Sequence, residues 1–136
     1  MRAWLLMWVI VMGTLTAAQE NSTVGDFTKS PTEHIINRIE QPFVVRSVQG
    51  IVNRQTGGPA EPLANVLFEI QGPGTERKIR HATTDENGRF KMGHVPVGTY
   101  KFKATRNGFQ SVIGTLTVSK EAPKTDEIKI AMAIGV

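Results

Sequence analysis

The stretch Thr84-Asp85-Glu86-Asn87-Gly88-Arg89-Phe90 decides the fold. Its first part is a tight turn, because Asp and Asn side chains cap turns and Asn and Gly tolerate a positive φ. Arg89 and Phe90 then begin a strand in which outward and inward side chains alternate. A second turn and strand follow at Val95-Pro96-Val97-Gly98-Thr99-Tyr100. Two such units in succession predict a small all-β domain.

The same alternation of apolar and polar residues runs from Val44 to residue 134. Turn signals at short, regular spacing divide it into seven candidate strands, and no helix-length amphipathic segment interrupts them. We therefore predict an all-β fold, a seven-stranded antiparallel β-sandwich over residues 44–134. The side chains predicted to face its core are Val48, Val52, Val66, Phe68, Ile70, Phe90, Met92, Tyr100, Phe102, Ala104, Ile128, Ile130 and Met132.

Residues 1–18 have the layout of a secretory signal peptide. Arg2 supplies the positive charge, an apolar run follows, and small residues precede an expected cleavage site after Ala18. The apolar run is shorter than the ~20 residues that a membrane-spanning helix needs. We expect a cleaved signal, no stable membrane insertion, and a secreted or periplasmic protein.

Residues 19–43 form a polar tether between the signal and the sandwich. Within it, Ser30-Pro31-Thr32-Glu33 has the form of a capping box, which predicts a short helix over residues 31–41. Ile35, Ile36 and Ile39 suit an additional edge strand equally well. The sequence leaves these two alternatives open.

The composition argues against most chemistry. The chain has no cysteine, so it forms no disulfide and no thiolate metal site. His34, His81 and His94 lack the short spacings of metal ligands, and no nucleophile stands at the usual distance from a base. The net charge of +4 is mildly basic and, with the export signal, does not indicate a nucleic-acid partner. We expect no enzyme activity, no metal and no cofactor.

Four cations are the first candidate binding residues. Arg89 and Lys91 point outward on one predicted strand, and Lys101 and Lys103 on the next. If these strands pair as a hairpin, the four side chains form a basic stripe that could attract an anionic polymer of the cell envelope. A solvated sheet face explains the same pattern.

A second candidate site lies at the Asn107-Gly108 turn. Sugar-binding sites often stack a ring on an exposed aromatic side chain. Phe109, beside Asn107, is the aromatic residue that we expect to be most exposed, followed by Phe27 and Phe43.

At these blocks the chain resembles the carboxypeptidase regulatory-like domains. The resemblance rests on Val48-Gln49-Gly50-Ile51-Val52, Pro62-Leu63-Ala64-Asn65-Val66, the two turn-and-strand units, and Asn107-Gly108-Phe109, and it spans about residues 45–133. It implies a prealbumin-like or immunoglobulin-like sandwich that is usually non-catalytic.

The resemblance suggests three functions. The first is an exported binding module, with a polysaccharide of the envelope as its candidate ligand. The second is an accessory module that binds a cell-envelope protein through an exposed edge strand. The third, a small transthyretin-like hydrolase, lacks support because the chain ends Ala131-Met132-Ala133-Ile134-Gly135-Val136 instead of Tyr-Arg-Gly-Ser.

Overall fold

The computed structural model of this chain describes residues 27–29, 31, 35–73 and 78–135. The expected signal peptide and residues 19–26, 30 and 32–34 of the tether, which include His34, lie outside these ranges. The described residues form strands and no helix. The strands are β1 (Ile36–Arg38), β2 (Phe43–Val45), β3 (Gln49–Arg54), β4 (Glu61–Pro62), β5 (Leu67–Gln71), β6 (Ile79–Thr83), β7 (Arg89–Lys91), β8 (Gly98–Thr105), β9 (Ser111–Val118) and β10 (Ile128–Met132).

The strands form two sheets. The larger sheet has the order β1-β9-β8-β5-β6, and β2 also pairs with β9. The smaller sheet has the order β10-β3-β4, and β7 also pairs with β3. Apolar side chains of both sheets fill the space between them, so the prediction of an all-β, two-sheet architecture is confirmed.

Two details of the prediction were wrong. The described residues contain ten strands rather than seven, because β1, β2 and β4 are too short to show alternation. The sandwich is also not wholly antiparallel, since β1 and β2 pair with β9, and β10 pairs with β3, in parallel. These partners are far apart in sequence, and only strands joined by a tight turn are forced to be antiparallel.

The tether contains a strand. Ile36–Arg38 pairs with residues 111–113 of β9, and residues 35–41 include no helix. Of the two alternatives for this segment, the edge strand is therefore confirmed, while residues 32–34 lie outside the described ranges.

Stacked rings dominate the core. Phe68 lies between Phe90 of the opposite sheet, at a centroid distance of 4.4 Å, and Phe102 of its own sheet, at 5.4 Å. Each ring is at most 4% exposed, and burying a Phe side chain contributes about 1.5–3 kcal/mol. Gly114 leaves space for the Phe102 ring, because a Cβ there would lie 2.7 Å from it. The side chains predicted to face the core are all buried.

The turn that decided the fold stabilises itself. Asp85 Oδ1 accepts hydrogen bonds from the N–H groups of Asn87 (2.9 Å) and Arg89 (3.0 Å). Gly88 has a φ of 74°, which costs glycine little. The residues that make this stretch recognisable therefore build a turn.

The hydroxyl of Thr84 connects this turn to the preceding loop. It donates to the carbonyl of Leu63 (2.7 Å) and accepts from the N–H of Val66 (2.9 Å). Thr84 is 3% exposed, so both bonds are shielded from water. The threonine thus satisfies two buried backbone groups that the strand ladders do not reach.

Candidate ligand-binding cleft

Three connections meet at one end of the sandwich and enclose a cleft. They are residues 46–48 between β2 and β3, residues 92–97 between β7 and β8, and residues 119–127 between β9 and β10. The cleft between them has a volume of about 980 Å³. This volume is at the upper end of the range for small-molecule sites.

Hydrogen bonds hold the walls of the cleft in place. Arg46 donates from Nε to the carbonyl of Ala122 (3.0 Å), which joins the first connection to the third. The hydroxyl of Tyr100, at the start of β8, donates to the carbonyl of Pro96 (2.6 Å) and fixes the second. The walls are therefore formed before any ligand arrives.

The floor of the cleft is apolar. Met92, Val95 and Val118 line it and are buried. Val97 lies on the rim, is 58% exposed and extends this apolar surface outward. The floor can therefore contact the carbon-rich face of a ligand.

The rim of the cleft is cationic. Arg46, Lys91 and Lys120 line it, and Glu121 is the carboxylate among the lining residues. All four side chains are exposed, as is that of His94, which also lines the cleft. An excess of positive charge around an apolar floor suits a ligand that carries carboxylate or phosphate groups.

The predicted hairpin of basic strands does not form. β7, which carries Arg89 and Lys91, pairs with β3 in the smaller sheet. β8, which carries Lys101 and Lys103, lies between β5 and β9 in the larger sheet. Residues 92–97 cross from one sheet to the other, so these consecutive strands are not neighbours. The predicted four-cation stripe was therefore wrong, and only Lys91 lines the cleft.

The other members of the stripe are dispersed. Arg89 lies on the outer face of the smaller sheet, 3.3 Å from the carboxylate of Glu127. Lys101 is exposed on the outer face of the larger sheet.

Lys103 was predicted to point into solvent, but it is 0% exposed. The alternation along β8 placed it on the correct face, since it lies on the outer face of the larger sheet beside Glu69. The segment that contains Thr28 covers this part of the face. The carboxylate of Glu69 accepts hydrogen bonds from the N–H (3.1 Å) and the hydroxyl (3.0 Å) of Thr28. Glu69 is itself 5% exposed, and strand parity cannot reveal a segment that docks from so far away in sequence.

The predicted exposure of the aromatic side chains was wrong. Phe109 is 9% exposed, since its backbone pairs with Ile134 and the guanidinium of Arg106 lies 5.2 Å from its ring centroid. Phe27 is 5% exposed, and Phe43 packs partly against the core. Asn107 is exposed at the turn between β8 and β9, at the opposite end of the sandwich from the cleft.

The cleft itself was missed by the sequence analysis. Arg46 and Lys120 come from connections that are far apart along the chain, Lys91 ends β7, and the second connection was recognisable only as a turn. Gly93, Pro96 and Pro123 indicate only loops, and Arg46-Ser47-Val48 carries no turn signal. Among the described residues no group of three His, Asp or Glu side chains is placed to hold a metal ion, and no helix there could span a membrane.

Comparison with known proteins places the domain in a family. No curated protein matches the chain. A solved structure of a "putative carbohydrate binding protein" from Pseudomonas aeruginosa is similar at 18% identity and a TM-score of 0.43, covering 63% of this chain and 90% of that one. Residues 47–133 match the carboxypeptidase regulatory-like domain, in agreement with the resemblance noted from the sequence. The match spans more than half of the chain, which therefore belongs to the carboxypeptidase regulatory-like domain family.

Proposed function

We propose that this protein is an exported, non-catalytic module that binds an anionic polysaccharide of the cell envelope in the cleft. The observation that carries the proposal is the combination of three rim cations with an apolar floor in a cleft of about 980 Å³. Family membership agrees with a module that binds rather than catalyses.

Charge, rather than ring stacking, is the basis of recognition in this proposal. Among the described residues every aromatic side chain is buried except Phe43, which is half-buried and packs against the core, so none offers the open ring face that neutral sugars usually occupy. Arg46, Lys91 and Lys120 instead offer partners for the carboxylates of a uronic acid. The floor would contact the C–H groups of the sugar ring.

The test is a titration with an oligouronate, followed by isothermal calorimetry and by amide chemical shifts. The matched ligand is the same oligosaccharide with its carboxyl groups reduced to alcohols. We expect binding of the acidic form, shifts concentrated at residues 46–48, 92–97 and 119–121, and weaker binding as salt is raised. The neutral form should bind at least about tenfold more weakly, since several charge-assisted contacts are lost.

A pair of lysine variants locates the site. Lys120→Glu reverses a charge on the rim, whereas Lys101→Glu makes the same change on the outer face of the larger sheet. Lys120→Glu should weaken oligouronate binding about tenfold, and Lys101→Glu by less than about twofold. Equal affinities for the two variants, or for the acidic and neutral sugars, would refute the proposal.

Export is tested separately. If the signal peptide is cleaved after Ala18, the mature protein begins at Gln19. Intact mass spectrometry of the protein recovered outside the cytoplasm should give the mass of residues 19–136. Retention of residues 1–18 in that fraction would contradict a cleavable signal.

A further inference from the structure

The strand β6 is an open edge of the larger sheet. Its five residues pair with β5, and within the described residues no strand pairs with its other side. An edge of this kind presents backbone donors and acceptors to any extended segment that approaches it.

Two backbone hydrogen bonds at the ends of β6 show which of its groups face outward. The N–H of Gly72 donates to the carbonyl of Lys78 (3.1 Å), and the N–H of Thr84 donates to the carbonyl of Val66 (3.0 Å). In an antiparallel ladder the bonded residues alternate, so the even-numbered residues of this strand bond toward β5. The N–H and C=O groups of the odd-numbered residues therefore point away from β5, toward the free side of this edge. These residues are Ile79, His81 and Thr83.

The side chains of this edge have a definite pattern. Lys78 and Arg80 share one face, about 7 Å apart along the strand. Ile79, His81 and Thr83 share the other face, and residues 78–83 contain no acidic side chain. A complementary strand would carry acidic residues at every second position and β-branched residues between them.

We infer that β6 is a docking edge for an extended acidic segment of a partner protein, which adds as a further strand of the larger sheet. A second copy of this chain is a poor occupant, because its own β6 would bring Lys78 and Arg80 against the same cations. The edge is separate from the cleft, so this inference goes beyond the proposed sugar binding.

The probe is a short synthetic peptide in which glutamate and valine alternate, labelled for fluorescence anisotropy. Its control is a peptide in which lysine and valine alternate. Proline is tolerated at an edge residue whose N–H faces solvent. His81→Pro therefore removes an outward donor while leaving the bonds to β5, and His81→Ala removes only the side chain.

We expect the acidic peptide to bind and the basic peptide not to bind. His81→Pro should weaken binding by about tenfold or more, because a backbone acceptor of the peptide is then left unpaired. His81→Ala should weaken it by less than about threefold. Lys120→Glu, which impairs the cleft, should leave peptide affinity unchanged, so the two proposals can fail independently.

Amide hydrogen exchange provides a measurement on the unaltered protein. The amides of Ile79, His81 and Thr83 should exchange rapidly in the free protein and slowly in the complex. Absence of peptide binding, unchanged exchange at these amides, or loss of binding in Lys120→Glu alone would overturn the inference. Equal effects of His81→Pro and His81→Ala would also overturn it.

Discussion

Replacing Thr84 by valine tests the link between the 84–90 turn and the loop before it. Valine has nearly the same shape, but it cannot donate to the carbonyl of Leu63 or accept from the N–H of Val66. Thr84 is 3% exposed, so water cannot easily replace either bond. A buried polar group left without a partner costs about 1–3 kcal/mol. Two such groups predict a loss of about 3 kcal/mol in the free energy of unfolding.

Urea denaturation measures this loss. With a slope of about 1.5 kcal/mol per M, the midpoint of Thr84→Val should fall by about 2 M. The matched control is Thr83→Val, an exposed neighbour that should change the unfolding free energy by less than about 0.5 kcal/mol. If the unfolding free energy of Thr84→Val lies within 1 kcal/mol of the wild-type value (roughly the cost of one exposed bond), the loss of two buried hydrogen bonds is refuted.

Two further substitutions test the core and the turn. Gly114→Ala adds a Cβ 2.7 Å from the Phe102 ring, so we expect the free energy of unfolding, measured by thermal denaturation, to fall by about 1–3 kcal/mol. A Cβ at Gly57 meets nothing within 4 Å, so Gly57→Ala should be nearly neutral. Similar melting temperatures for these two variants would contradict the close contact between Gly114 and the Phe102 ring. Asp85→Ala removes the acceptor of two exposed backbone hydrogen bonds and should lower the free energy of unfolding by about 1–2 kcal/mol. Asp85→Asn retains an acceptor oxygen and should lower it by less. If urea denaturation shows Asp85→Asn to be the less stable variant, the Asp85 side chain does not cap the turn.

Local patterns predicted the architecture well. Alternation identified the inward faces of β5 and β8, because a strand buried on one side must place apolar residues at every second position. The turn residues Asp85 and Gly88 were recognisable, because few residue types fit that geometry. The family resemblance rested on these same residues and was confirmed.

Features that depend on distant parts of the chain were not predictable in this way. Lys103 was expected in solvent because parity identifies a face, and parity cannot show whether another segment covers that face. Arg89 and Lys101 were expected side by side because consecutive strands usually pair, yet residues 92–97 cross between the sheets. The cleft depends on three such connections meeting at one end, so no single stretch of sequence contains its signal.

The side chain of Gln110 has a practical consequence. Its oxygen accepts from Asn37 (2.8 Å) and its nitrogen donates to the carbonyl of Ile134 (3.3 Å), so the first and last described strands start and finish close together. These residues lie at the end of the sandwich opposite to the cleft. A biosensor chip or a fluorescent protein could therefore be attached near residue 135 while the mouth of the cleft still faced outward.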